Sequence, residues 1–143
     1  MIAVSQGVLE HTLDVLRTCG RGRDECVVLW TGPSDGIAVE QVVHPRHVAS
    51  PASYRVDPGW LNEFWLELAR NNQSVQAQLH THPGEAFHSS ADDGGALGGH
   101  VGFLSIVIPD AACRQALDGA RAYQIKSEGW QEVVLERIVR VIP

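Results

Sequence analysis

The stretch Leu79-His80-Thr81-His82-Pro83, followed by Ser90-Ala91-Asp92-Asp93, carries the residues of this chain best suited to chemistry. In an extended strand, side chains two positions apart leave the same face, so His80 and His82 can aim two imidazoles at one point. Ten residues separate His82 from Asp93, enough chain to loop back and bring a carboxylate to that point. Two ring nitrogens and one carboxylate oxygen suit a catalytic zinc site, which takes three protein ligands and keeps a fourth position for water. A hydrolase of this kind also needs a carboxylate to take a proton from that water, whose pKa falls to about 7 at such a site. It further needs a hydrogen-bond donor for the oxyanion that develops on the scissile carbonyl. Glu25 opens the apolar run Glu25-Cys26-Val27-Val28-Leu29-Trp30 and is the candidate base, since burial there would raise the proton affinity of a carboxylate. Ser90, three residues before Asp93, is the candidate donor.

These residues need elements to position them. Ser5 can cap a helix that runs to Cys19, with Val8, Leu9, Thr12, Leu13, Leu16 and Cys19 at helical spacing and Gly20 and Gly22 ending it. The run from Glu25 to Trp30 reads as a buried strand, and Ile37 to Val43 as its hairpin partner beyond the turn at Gly32-Pro33-Ser34-Asp35-Gly36. His44 to Asp57, with Pro45 and Pro51, reads as a loop with one short extended piece at Ser53-Tyr54-Arg55-Val56. Asp57-Pro58 starts a second helix. Its stripe of Trp60, Leu61, Phe64, Trp65 and Leu68 faces a core and ends near Arg70-Asn71-Asn72. A strand from Ser74 to His82 then delivers the histidine pair. Phe103 to Ile108, Ala120 to Ser127 and Gln131 to Ile142 read as further strands, the last two joined by a turn at Glu128-Gly129. The pattern is α/β: one domain over residues 1–143, with about six strands and two or three helices in mixed order.

Composition bounds the function. A chain of 143 residues can bury one sizeable core. Its 44% apolar and 20% charged shares are those of a soluble globular protein. A formal charge of -6, from 11 basic and 17 acidic residues, argues against a nucleic-acid partner. No apolar run reaches the roughly 18 residues of a membrane span, and Met1-Ile2-Ala3-Val4-Ser5 lacks the features of a secretory signal. The three cysteines, Cys19, Cys26 and Cys113, are odd in number and include no C-x-x-C pair. Neither a disulfide framework nor a cysteine zinc site is expected, and a reducing cytoplasm is the expected compartment. Cys113 reads as a buried small apolar residue, and His44, His47 and His100 as surface residues. Gly94, Gly95, Gly98 and Gly99 form no nucleotide-binding loop.

Taken together, Glu25, His80-Thr81-His82-Pro83, Ser90 and Asp93 resemble the pattern of the JAMM (MPN-plus) metallopeptidases, a glutamate followed by H-x-H-P-x9-D with S-x-x-D. The order of helices and strands is similar over nearly the whole chain, as in a small, single-domain, prokaryotic-type member. The resemblance implies a JAMM/MPN-like fold: a mixed, mostly antiparallel curved sheet flanked by helices in a cytidine-deaminase-like three-layer architecture. It implies one zinc ion per chain, held by His80, His82, Asp93 and a water, with Glu25 as base and Ser90 as oxyanion donor. It further implies cleavage of a peptide or isopeptide bond after the Gly-ending C-terminal tail of a ubiquitin-like or sulfur-carrier protein, bound extended beside a sheet edge. Some relatives cut short peptides instead, and a small enzyme of this kind could work as a homodimer.

Plainer roles exist for the same residues. His80 and His82 could be ordinary polar residues at a strand end, Glu25 a solvated strand-end carboxylate, and Ser90 to Asp93 a capped helix start. Ser89 and Asp92 repeat S-x-x-D one residue early, but the spacing favours Ser90 and Asp93. His88 reads as an exposed loop residue. A catalytically silent scaffold of the same fold would usually lack one of these groups. A zinc hydrolase of small peptides or amides would keep them all. The zinc reading predicts protein that purifies with metal removable by a chelator; gently purified protein devoid of metal would contradict it.

Overall fold

The computed structural model describes residues 1–89 and 97–143. Ser5 begins the first helix as read from the sequence: its hydroxyl accepts from the Val8 amide (3.1 Å), and α1 runs Gln6–Gly20. The helix ends on Arg21, which takes the left-handed conformation (φ 53°) and donates its amide to the Arg17 carbonyl. Asp57 likewise caps α2 (Pro58–Arg70) by accepting from the Trp60 amide, with proline at the first turn.

Among the described residues the strands are β1 (Ile2–Ser5), β2 (Val27–Pro33), β3 (Gln41–Val43), β4 (His47–Ala49), β5 (Tyr54–Val56), β6 (Gln73–Thr81), β7 (Leu104–Ile108), β8 (Arg121–Lys126), β9 (Gly129–Val133) and β10 (Val139–Ile142). Six form the main sheet in the order β3-β2-β6-β7-β8-β9. Only the β6–β7 pair in it is parallel, so the sheet is mixed and mostly antiparallel. Alternation along these strands separates two faces. Cys26, Val28, Trp30, Ala77, Leu79, Leu104, Ile106 and Ile108 join Leu9, Leu13 and Leu16 of α1 in one buried cluster. The intervening positions, among them Gln78 and His80, leave the sheet on its other side. The α1 face carries one buried polar link: Trp30 Nε1 donates to Thr12 Oγ1 (2.8 Å), and that hydroxyl donates to the Val8 carbonyl.

Several sequence expectations need correction. The stretch Gln131 to Ile142 is not one strand. Twelve residues would extend roughly 40 Å, well beyond the six residues of β8; instead Val133, Leu135 and Ile138 turn onto the core through a short helix, α3 (Leu135–Ile138). β10 then pairs in parallel with β1, a strand the sequence reading left out. The segment read as a loop before α2 contains the β4–β5 hairpin. The α2 stripe is shallower than a core face: Leu68 is buried, Trp60 stacks on Phe64, and Trp65 is exposed. Cys113 is exposed rather than buried. Cys19 and Cys26, read as unpaired, form a disulfide, so the cysteine count no longer points to a compartment. Among the described residues no helix is long and apolar enough to cross a membrane.

Two glycines fit their places closely. Gly129 (φ 108°) makes the β8–β9 turn, and a Cβ at Gly98 would lie 2.3 Å from the Phe103 ring. The expected consequence of the buried Trp30–Thr12 link is specific. Thr12→Val keeps the shape but strands the indole N–H, and should lower unfolding free energy by about 1–3 kcal/mol in chemical denaturation; an unchanged denaturation midpoint would show that the link contributes nothing.

Candidate metal site

The site is set by the pairing of β2 with β6. Their antiparallel register matches Val27 with His80, and one step outward in each direction brings Cys26 to Thr81. That step is locked: the Thr81 amide donates to the Cys26 carbonyl (3.0 Å), and the Cys26 amide donates to Thr81 Oγ1 (2.9 Å). A further step places Glu25 opposite His82, where Glu25 Oε1 lies 3.5 Å from His82 Nε2. The Glu25 amide donates to the Ser50 carbonyl, which ties this end of β2 to the β4–β5 hairpin.

His82 lies one residue past β6, but its amide donates to the Ile108 carbonyl (2.9 Å) and its carbonyl accepts from the Ala111 amide (2.8 Å). These bonds continue the strand direction, and the His80 and His82 rings sit 5.2 Å apart between centroids. Glu25, His80 and His82 are all buried, at 4%, 0% and 4% exposure. One donor atom from each lies within 4.8 Å of the others. A carboxylate and two imidazoles converging in a buried place are a donor set that fits a divalent cation such as zinc. The structure thus brings together three of the five residues singled out in the sequence. Ser90 and Asp93, together with the alternative Asp92, lie outside the described residues.

The sequence reading missed the groups that support this cluster. Gln78 shares the face of His80 and His82, is buried, and hydrogen-bonds through its side-chain amide nitrogen to the Tyr54 hydroxyl. Its amide oxygen accepts from the Leu97 backbone N–H (3.0 Å). Tyr54 stands 5.3 Å from the His80 ring and Phe87 meets the His82 ring edge-on at 4.7 Å. The i, i+2, i+4 series Gln78-His80-His82 was a signal available in the sequence; Tyr54, from a different hairpin, had none. His88, read as an exposed loop residue, is half-buried and packs against Tyr123 and Trp130. Arg121 tethers the same loop by donating to the Ala86 carbonyl (3.5 Å). Its hydrogen bond to Glu132 holds that carboxyl below its usual pKa.

The chain is similar to known proteins along most of its length. No family model matches the chain. The probable metalloprotease y4jG of Sinorhizobium fredii is 31% identical over 136 residues, covering 89% of this chain and 83% of that protein. The solution structure of a protein from Desulfitobacterium hafniense is similar with a TM-score of 0.72 at 21% identity, over 99% of this chain and 93% of that one. A JAB1/MPN domain protein from Archaeoglobus fulgidus is similar with a TM-score of 0.60 at 15% identity, over 99% and 97% of the two chains. Those two structures establish the fold, and the sequence relative extends along most of the same length. The chain belongs to the JAMM (MPN-plus) metallopeptidase family and has the JAB1/MPN fold.

Proposed function

We propose that the protein is a zinc-dependent peptidase that hydrolyses the peptide or isopeptide bond after the Gly-ending C-terminal tail of a ubiquitin-like or sulfur-carrier protein. The observation that carries the hydrolytic part is the buried Glu25 carboxylate set across from His82 and beside His80. The relative named a probable metalloprotease supports the same class.

In this reading His80, His82 and Asp93 hold the metal, and zinc supplies Lewis acidity that polarises both the attacking water and the scissile carbonyl. Glu25 takes the proton of the attacking water and returns it to the leaving amine. Its place across the strand pair suits that work, because the backbone on both sides fixes the carboxylate beside the histidine that ligates. Ser90 donates a hydrogen bond to the oxyanion. Gln78, bonded to the Tyr54 hydroxyl and to the Leu97 amide, ties Leu97 and the β5 tyrosine to the strand that carries His80. The substrate tail would lie extended and exchange backbone hydrogen bonds with a strand edge. Phe87, half exposed and edge-on to His82, would be an apolar contact at the entrance.

Glu25→Gln separates a base from a ligand. As a base, its loss leaves zinc content unchanged and lowers turnover by roughly 10²–10⁴-fold; loss of the zinc instead would make Glu25 a ligand. Fusions of ubiquitin-like proteins, offered beside short peptides of the same tail sequence, address the substrate. The expected result is faster cleavage of the fusions, measured as kcat/KM. Equal or better cleavage of the short peptides would assign the enzyme to small-peptide hydrolysis.

A further inference from the structure

At the opposite side of Cys26 from Glu25's neighbourhood, four chain segments meet. Cys19 comes from the last turn of α1, Cys26 from the residue just before β2, His44 from the residue just after β3 and His47 from the start of β4. One ligand atom from each lies within 4.8 Å of the others. Cys19 Sγ stands 3.4 Å from His47 Nε2, and Cys26 Sγ stands 3.4 Å from His44 Nε2. The two sulfurs themselves are at bonding distance.

A disulfide alone leaves this arrangement unexplained. His47 Nδ1 is 2.8 Å from the Pro45 carbonyl oxygen. A carbonyl has no proton to give, so Nδ1 carries the hydrogen, and in the neutral ring Nε2 presents a lone pair. That lone pair faces a sulfur which, in a disulfide, carries no proton either. Convergence of ring nitrogens on two sulfurs makes sense if a cation sits among them. The bond to Pro45 is also the kind of outer contact that fixes the tautomer of a metal-ligating histidine.

We infer that Cys19, Cys26, His44 and His47 form a second metal site, a structural tetrahedral zinc centre of the two-cysteine, two-histidine type, occupied when the cysteines are reduced. Bond lengths of about 2.3 Å to sulfur and about 2.0–2.1 Å to nitrogen give a tetrahedral sulfur-to-nitrogen edge of about 3.6 Å, close to both observed 3.4 Å separations. The sulfurs would part to about 3.8 Å on the same geometry. The chemistry balances in two steps. A small dithiol reductant gives two electrons and two protons to the Cys19–Cys26 bond, closing to its own disulfide while the pair becomes two thiols. Zinc then displaces those two protons to solvent. Two thiolates cancel the charge of the ion and two neutral imidazoles complete the shell, which suits a place where Cys26 is fully buried. The centre staples α1, β2, β3 and β4 together, one residue from Glu25, without entering the catalytic cluster.

Cobalt(II) added to the reduced, metal-free wild-type protein tests this site apart from the catalytic one. Thiolate-to-cobalt charge-transfer bands should appear and saturate by about two equivalents, at the intensity of one thiolate-bound cobalt per chain. Zinc should displace the cobalt, and the two thiols should lose their reactivity towards a disulfide reagent. The bands should persist in Cys113→Ser and in the His80→Ala, His82→Ala double variant, which removes only the other metal, and should vanish in the Cys19→Ser, Cys26→Ser double variant. The wild-type spectrum decides even if a variant fails to fold. Absence of charge-transfer bands in the reduced, folded wild type, or their loss in Cys113→Ser, would overturn the proposal.

Discussion

The antiparallel register between β2 and β6 is the constraint on which the site depends. Because Val27 pairs with His80, Leu79 and Ala77 turn towards α1 while Gln78 and His80 turn away, and Glu25 falls opposite His82. A slip of one residue would send the histidines into the apolar core and expose the leucine. Thr81 guards against that slip. Fully buried, it bonds the Cys26 backbone through both its amide and its hydroxyl. The same pairing that fills the core therefore gathers Glu25, His80 and His82.

Burying Glu25, His80 and His82 together opposes folding, since each loses hydration that an apolar residue would not miss. The apolar cluster on the α1 face offsets that cost, with Trp30, Leu79 and Ile106 fully buried and the Trp30–Thr12 hydrogen bond satisfying the polar atom that a buried indole brings. The sheet thus divides its labour by face. One face supplies stability; the other holds polar groups at fixed positions, and the Gln78 bonds to Tyr54 and Leu97 extend that order beyond β6.

What the sequence made legible follows from how local the signals are. Both long helices were readable because their caps, Ser5 and Asp57, act within three residues, and β6 because period-two spacing carries the histidines onto one face. Glu25 was readable through its place at the start of an apolar run and through resemblance to a known pattern. Contacts between distant segments left no such mark. β1 pairs with β10 across nearly the whole chain, and Tyr54 reaches Gln78 from a separate hairpin. The cysteines misled for the same reason. Counting three and seeking a C-x-x-C pair ignored the chance that Cys19 and Cys26, with six residues between them, would meet where α1 gives way to β2. The division of Gln131 to Ile142 into two strands was equally hidden, because Val133, Leu135 and Ile138 look alike whether they continue a strand or turn onto the core.

The claim at the centre of this account is that the face of β6 carrying His80 and His82 gathers a metal beside Glu25. Crystals of zinc-loaded protein, measured on both sides of the zinc absorption edge, give the most direct answer. The account predicts an anomalous peak within bonding distance of His80 and His82, with the Asp93 carboxylate on it and Glu25 next to it. Zinc-loaded crystals showing no anomalous density between those two imidazoles would contradict it.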